Sequence, residues 1–271
     1  MYRANRYMRG LTDFELDCRF GDVMTNQVVL TDEGKLGLSQ DYLEKGTHIM
    51  EELGLRGRGL PNPEGIKRRL QIPEPIHDDA LIAMIKADYP KGVPKTFTLF
   101  KYGKKIYLDE FLKNGNLRLQ PASAYDDPLL NPAVEDRELA FEKIEGMKRT
   151  LFKSETDYYC FCSSLLHQDR LLNDFGADCL VVITNPKEFF LRLASALDES
   201  EYDISFNKIT YLDPVLMDGK KVTNLAYVKH MRFAYQFEHR LVAMPSSQIL
   251  ELPSRQLQLG PLNDIAKMYT F

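Results

Sequence analysis

Residues 231–241, Met-Arg-Phe-Ala-Tyr-Gln-Phe-Glu-His-Arg-Leu, alternate between two kinds of side chain. Successive side chains of a strand point to opposite faces, so this period of two predicts a strand. Met231, Phe233, Tyr235, Phe237 and His239 fall on one largely apolar face. Arg232, Ala234, Gln236, Glu238 and Arg240 fall on the other. Such a strand needs partners, and β-rich runs at 96–102, 117–119, 158–163, 179–184 and 208–211 supply them. Helical segments are expected between them, at 106–114 (ended by Gly115), 138–152 (rich in good helix formers) and 186–198. Strands and helices interleave without a strict β-α-β rhythm. The expected fold is therefore α+β, with a mostly antiparallel or split sheet and surrounding helices.

Upstream, residues 1–38 read as short strands and turns, with a β-rich Val28–Leu30 and a turn at Thr31-Asp32-Glu33-Gly34. Ser39 is placed to cap a helix that runs to about Leu53. Tyr42, Ile49, Met50 and Leu53 form its apolar stripe, and Gly54 is its expected stop. Regular structure then breaks at Arg56–Pro63. A basic helical piece with Lys67, Arg68 and Arg69 follows, then a helix at 78–89 and a Pro/Gly cluster at 89–94. That cluster divides the chain into a small, mainly helical part at 1–95 and an α+β domain at 96–271. A chain of 271 residues has room for one main domain and a smaller piece.

With 35 basic and 39 acidic residues, the net charge of −4 does not mark a dedicated nucleic-acid binder. A local contact through Arg56, Arg58, Lys67, Arg68 and Arg69 remains open, although short charge runs are more often solvated faces. The four cysteines, Cys18, Cys160, Cys162 and Cys179, include no CxxC pair. Buried free thiols in a reducing, cytoplasmic setting fit them best. The polar, basic start is unlike a secretion signal, and no stretch approaches the roughly 20 apolar residues of a membrane helix.

Three features carry chemistry. A Gln-x-Glu pair, Gln236 and Glu238, lies on the polar face of the alternating segment. A carboxylate so placed can hold a ribose hydroxyl and favour positive charge developing on a sugar, while a solvated face of ordinary Glu/Arg pairs is the plainer reading. The loop Ser123-Ala-Tyr-Asp-Asp-Pro, continuing to Asn131, Glu135, Asp136 and Glu138, is dense in carboxylates, and turn formation already accounts for that composition. The run Tyr158-Tyr-Cys-Phe-Cys-Ser-Ser ends an apolar strand in two hydroxyls, with Cys160 and Cys162 reading as buried hydrophobes rather than nucleophiles. The five histidines have no metal-ligand spacing, and no dinucleotide fingerprint, phosphate loop or kinase set is present.

As a set, Phe100-Lys101-Tyr102, Arg118-Leu-Gln-Pro-Ala-Ser-Ala-Tyr-Asp-Asp-Pro with Asn131, Phe161-Cys-Ser-Ser and Tyr235-Gln-Phe-Glu-His-Arg resemble a widespread bacterial domain family of mobile and defence-associated genes. Their order also resembles the Arg–Ser–Glu layout of ADP-ribosyltransferases. The resemblance covers residues 97–250 and departs from the fuller Ser-Thr-Ser pattern at Ser163-Ser164-Leu165. It implies an enzyme that transfers ADP-ribose from NAD, or hydrolyses NAD, as a toxin or defence effector. By that resemblance Arg118 contacts the NAD phosphate, with Lys101 or Arg137 as stand-ins. Tyr125 stacks on a ring, Tyr102 and Arg240 line the NAD site, Ser163 supports the nicotinamide end, Gln236 selects the acceptor and Glu238 stabilises the ribose cation. The acceptor is a protein, a nucleic acid or water.

Two other classes remain open at this level. One is a magnesium-dependent nuclease built on Asp126, Asp127 and Glu138 or Glu238. The other is a regulatory protein that binds a partner without catalysis.

Overall fold

The computed structural model describes residues 2–30, 36–61, 98–197, 200–217 and 224–271. The expected turn at 31–34, the basic piece at 67–69, and the helix and Pro/Gly cluster at 78–94 lie outside the described residues. The fold is α+β, with antiparallel sheets and helices in both halves of the chain.

Two compact units divide the chain. One is built from Met1–Gln71, Ala140–Lys153 and Thr210–Tyr235, the other from Ile72–Leu139, Ser154–Ile209 and Gln236–Phe271. The first unit thus draws in two segments from far beyond residue 95.

In the first unit, α1 (Tyr2–Asn5) precedes α2 (Asp13–Thr25), and α3 (Gln40–Leu55) follows the short antiparallel pair β1 (Val28–Leu30) and β2 (Leu36–Leu38). The expectation of only strands and turns over 1–38 is corrected by α2. Its start is a capping box: the Glu15 amide donates to Thr12 Oγ1, and the Thr12 amide donates to Glu15 Oε2 at 2.8 Å. α3 begins after Ser39 as expected. It runs through Gly54, however, and ends at Leu55, capped by Arg56, with Gly57 in the left-handed region at φ 67°. Met8, Leu16, Val23, Ile49, Leu53 and Met231 form the core of this unit.

Residues 138–152 are not a helix. They form the hairpin of β5 (Ala140–Glu145) and β6 (Lys148–Lys153), which turns at Gly146 with φ 61°. Phe141 pairs with Phe152 across the hairpin, and both pack with Met217 and Val228. Cross-strand burial here overrides helix propensity. A parallel pair, β10 (Thr210–Leu212) and β11 (Val228–His230), belongs to the same unit.

The second unit is built on an eight-stranded sheet. Its strands are β3 (Leu99–Gly103), β4 (Asn116–Pro121), β7 (Tyr159–Ser164), β8 (Cys179–Ile183), β9 (Tyr202–Lys208), β12 (Glu238–Pro245), β13 (Arg255–Gln258) and β14 (Ala266–Thr270). Along one edge β7 pairs with β12 over its whole length. Its other edge is shared: β4 pairs at Tyr159 and Cys160, then β3 takes over at Ser164. The expected split sheet is therefore realised at the middle of β7. Lys101 Nζ donates to the Cys162 carbonyl at 2.9 Å inside this gap.

One sheet face carries Tyr159, Phe161, Leu241, Ala243, Leu99, Val181 and Leu119. It packs under α4 (Lys105–Asn114) and α6 (Pro186–Ala196), which in chain order flank the short α5 (Asp169–Asp174), through Phe111, Phe189 and Leu193. Gly115 ends α4 at φ 71°, and a Cβ there would lie 2.1 Å from the Gly260 carbonyl oxygen. The opposite face of the sheet carries the polar residues described next.

A buried carboxylate–arginine cluster at one end of the sheet

The expected strand at 231–241 is half correct. Residues Met231–Gln236 form a 3-10 helix, Phe237 takes φ 46° in the left-handed region, and β12 begins only at Glu238. Gln236 and Glu238 therefore do not sit side by side on one strand. Gln236 is buried, and its Nε2 donates to the Ala133 carbonyl at 2.8 Å. The kink at Phe237 is fixed from the neighbouring strand: the Leu165 amide donates to the Phe237 carbonyl, and Ser164 Oγ donates to the Gln236 carbonyl. A phenylalanine held at positive φ is strained, a state that persists where the surroundings over-determine it.

Antiparallel register then decides which residues share a face. Glu238 lies opposite Ser164, His239 opposite Ser163, and Arg240 opposite Cys162. Ser164, not Ser163, thus shares the face of Glu238. Ser163 lies on the face of His239 and donates its hydroxyl to the His239 carbonyl at 3.0 Å. This register puts Ser163 on the sheet face opposite Glu238.

Arg240 is fully buried on the polar face. Its Nη1 and Nη2 donate to Glu138 Oε2 and Oε1 at 2.6 and 2.8 Å, and its Nε donates to Glu238 Oε1 at 2.9 Å. An arginine without exposure and engaged by two carboxylates cannot also grip a ligand phosphate, so Arg240 is corrected from ligand contact to the centre of an ionic cluster. Such a cluster carries a large desolvation cost and depends on every partner being in place. The carboxylates and burial act in opposite directions on the guanidinium, and the carboxylates win: its pKa is raised.

Tyr125 belongs to the same environment. Burial, followed by Cys160, Cys162 and Glu138, holds its phenol well above the usual range. The Cys162 thiol is also held up, first by its hydrogen bond with Cys160 and then by burial. The Cys162 thiol is thus a poor nucleophile at neutral pH. Tyr102 points its hydroxyl at His167 Nδ1 (3.0 Å) and accepts from the Gln168 amide. It is on the Glu238 face, since Phe100, two residues before it, pairs with Ser164. Arg118 shares that face too, but on β4 beyond the split, where it is exposed and donates to Ser254 Oγ at 3.2 Å. The polar face therefore brings together Glu238, Arg240, Glu138, Ser164 and the Tyr125 phenol, with Tyr102 and Arg118 on flanking strands.

The other candidates resolve locally. Asp126 and Asp127 are exposed, and Asp127 Oδ1 accepts the Leu129 amide as a turn former. Glu138 is engaged by Arg240, and no group of three His, Cys, Asp or Glu among the described residues is arranged to hold a metal. Arg56 is tied to Glu52, Asp13 and two backbone carbonyls, and Arg58 to Asp17, so both guanidiniums have partners within the protein. Lys67, Arg68 and Arg69 lie outside the described residues.

Glu138 and Ser164 are the participants that the sequence alone did not place. Glu138 is separated from Arg240 by 102 positions, and nothing local to either residue announces the pair. Ser164 needed the register. Among the described residues, no helix is long and apolar enough to cross a membrane. Compared with family models, curated proteins and solved structures, the chain matches none.

Proposed function

We propose that the second unit acts on NAD, transferring ADP-ribose to an acceptor or to water, with Glu238 as the carboxylate that stabilises the ribose cation. The observation that carries this reading is the placement of Glu238 at the start of β12. It is fixed there by Arg240, on the same face as Ser164, with the Tyr125 phenol near the cluster and Arg118 on the far side of the split.

In this mechanism the bond between the ribose C1′ and the nicotinamide nitrogen breaks. Nicotinamide leaves with the bonding electrons as a neutral base. The cation left on the ribose is stabilised by the Glu238 carboxylate, whose geometry is set before the reaction begins. The acceptor oxygen or nitrogen then bonds to C1′ and releases one proton to solvent. Tyr125 offers a ring to a base of NAD, and Arg118 offers charge to its pyrophosphate; Tyr102, buried and stacked on His167, supports the face from behind. Gln236, turned onto the Ala133 carbonyl, positions the loop that carries Tyr125. An acceptor that is a macromolecule makes the protein a modifying toxin or defence effector.

The test is nicotinamide release from labelled NAD by the purified protein, with and without cell lysate. Glu238→Gln keeps the size and the neutral hydrogen bonding of the side chain. It removes one charge from the Arg240 cluster and is expected to lower stability; under conditions where the variant is verified as folded, it is expected to lose about 10²–10³-fold in rate, the usual effect of removing one transition-state contact. Arg118→Ala is expected to raise KM more than it lowers kcat. Full activity in a folded Glu238→Gln protein would sink the mechanism. NAD left untouched, together with EDTA-sensitive cleavage of nucleic acid, would favour the nuclease class instead.

A further inference from the structure

β9 ends one side of the sheet: among the described residues it pairs with β12 and with no other strand. Which of its backbone groups face outward follows from the ladder. The Ile209 amide donates to the Glu238 carbonyl at 3.0 Å, and the Ser246 amide donates to the Glu201 carbonyl at 2.8 Å. Odd-numbered residues of β9 therefore turn their N–H and C=O groups toward β12, and Tyr202, Ile204, Phe206 and Lys208 turn theirs away from it. Protein edges are commonly blunted by proline, by a bulge or by charges in mid-strand. β9 pairs with β12 without a bulge over its 7 residues, holds no proline, and carries its charges, Asp203 and Lys208, toward its two ends.

The same edge is complementary to a reversed copy of itself. Glu201 and Asp203 make one end acidic, and Lys208 makes the other basic; all three are exposed, Glu201 beside Arg255. Between the ends, Ile204 and Phe206 are half-buried and border an apolar groove of about 710 Å³ with Phe190, Leu191 and Ala194 of α6. A two-fold axis through Ser205 lays two such strands antiparallel. Ile204 of each then lies opposite Phe206 of the other, and Tyr202 opposite Lys208. These are the residues with outward backbone groups, so this register gives every one of them a partner. Apolar side chains meet apolar ones, Lys208 lies next to Glu201 of the second copy, and Asp203 faces the neutral Asn207.

We infer that a second copy of this chain docks on β9, the two edges pairing about Ser205 to join two eight-stranded sheets into one. The pairing stands independently of the NAD reading.

Sedimentation equilibrium of the full-length chain is expected to show a dimer that dissociates on dilution. Asn207 is exposed and faces Asp203 only across the axis, twice per dimer. Asn207→Asp should therefore weaken the dimer and Asn207→Lys should tighten it, their dissociation constants separating about tenfold. The register has its own readout. Ser205 meets itself as a non-hydrogen-bonded pair, in which Cα atoms lie about 4.5 Å apart, within reach of a disulfide. Ser205→Cys should give a covalent dimer under mild oxidation, beyond any formed by wild type with its own four cysteines. Asn207→Cys alone should not, but mixed with Asp203→Cys it should give the covalent heterodimer. A chain that stays monomeric throughout the micromolar range overturns the inference. So does a dimer that is indifferent to the sign of charge at 207 and is not linked through Cys at 205.

Discussion

Arg240 grips Glu138 through both terminal nitrogens, at 2.6 and 2.8 Å, and neither side chain has appreciable exposure. This is a fork-to-fork contact between residues 102 positions apart, and it ties the loop before β5 to the central strand β12.

Removing one partner of a buried pair leaves an uncompensated charge, which typically costs about 3–5 kcal/mol. Glu138→Ala is therefore expected to destabilise the protein by an amount in that range in urea denaturation, and to change the position of Glu238 with it. A combined Glu138→Leu, Arg240→Met, Glu238→Leu protein, which removes every charge at once, should recover much of the loss. A Glu138→Ala protein within about 1 kcal/mol of wild type would mean that Glu238 alone suffices for Arg240.

Glu52 is the acidic centre of the first unit and is fully buried. Burial acts to raise its pKa, but donors from Arg6, Tyr2 and Arg56 outweigh that and bring it to about 2. An unfolded glutamate titrates near ~4.3. The folded state thus holds its proton less tightly than the unfolded state, and the stabilisation is complete only above the unfolded value. The Tm advantage of wild type over Glu52→Gln is expected to be largest near neutral pH and to shrink as pH falls from about 5 toward 2. Thermal melts of both proteins across that range check the sign. A difference that stays constant with pH would contradict it.

Gly115 and Gly57 both occupy the left-handed region, at φ 71° and 67°, but their surroundings differ. A Cβ on Gly57 would meet nothing within 4 Å, whereas one on Gly115 would collide with the Gly260 carbonyl oxygen at 2.1 Å. Gly57→Ala is therefore expected to cost about 1–2 kcal/mol, the penalty of the backbone conformation alone. Gly115→Ala should cost clearly more, because the backbone at Gly260 must move as well. Chemical denaturation of the two variants side by side separates the conformational part from the collision.

Much of the second unit was legible because its signals are local. The apolar runs of β7 and β8, the glycine that ends α4 and the start of α6 at Pro186 each appear within a few residues of sequence. The failures had physical causes. The 138–152 segment is full of helix formers, yet Phe141 and Phe152 gain more by facing each other across a hairpin. The alternation at 231–241 was real, but a positive φ at Phe237 cut it in two, and no residue preference marks a phenylalanine for that conformation. For the candidate site, the sequence identified Glu238 and Tyr125 by type. Which serine faces Glu238 followed only from strand register, where a shift of one residue exchanges the two faces.

The sharing of one edge of β7 between two strands has a consequence for how the chain can vary. Where β4 has departed and β3 has not yet arrived, the Cys162 carbonyl is met by an ammonium on a flexible stem rather than by a neighbouring amide. Backbone amides are supplied by every residue except proline, so an ordinary ladder tolerates side-chain drift. At this one rung, continuity of the sheet has been handed to the identity of a single side chain, and Lys101 is as much a part of the main-chain scaffold as the peptide groups on either side of it.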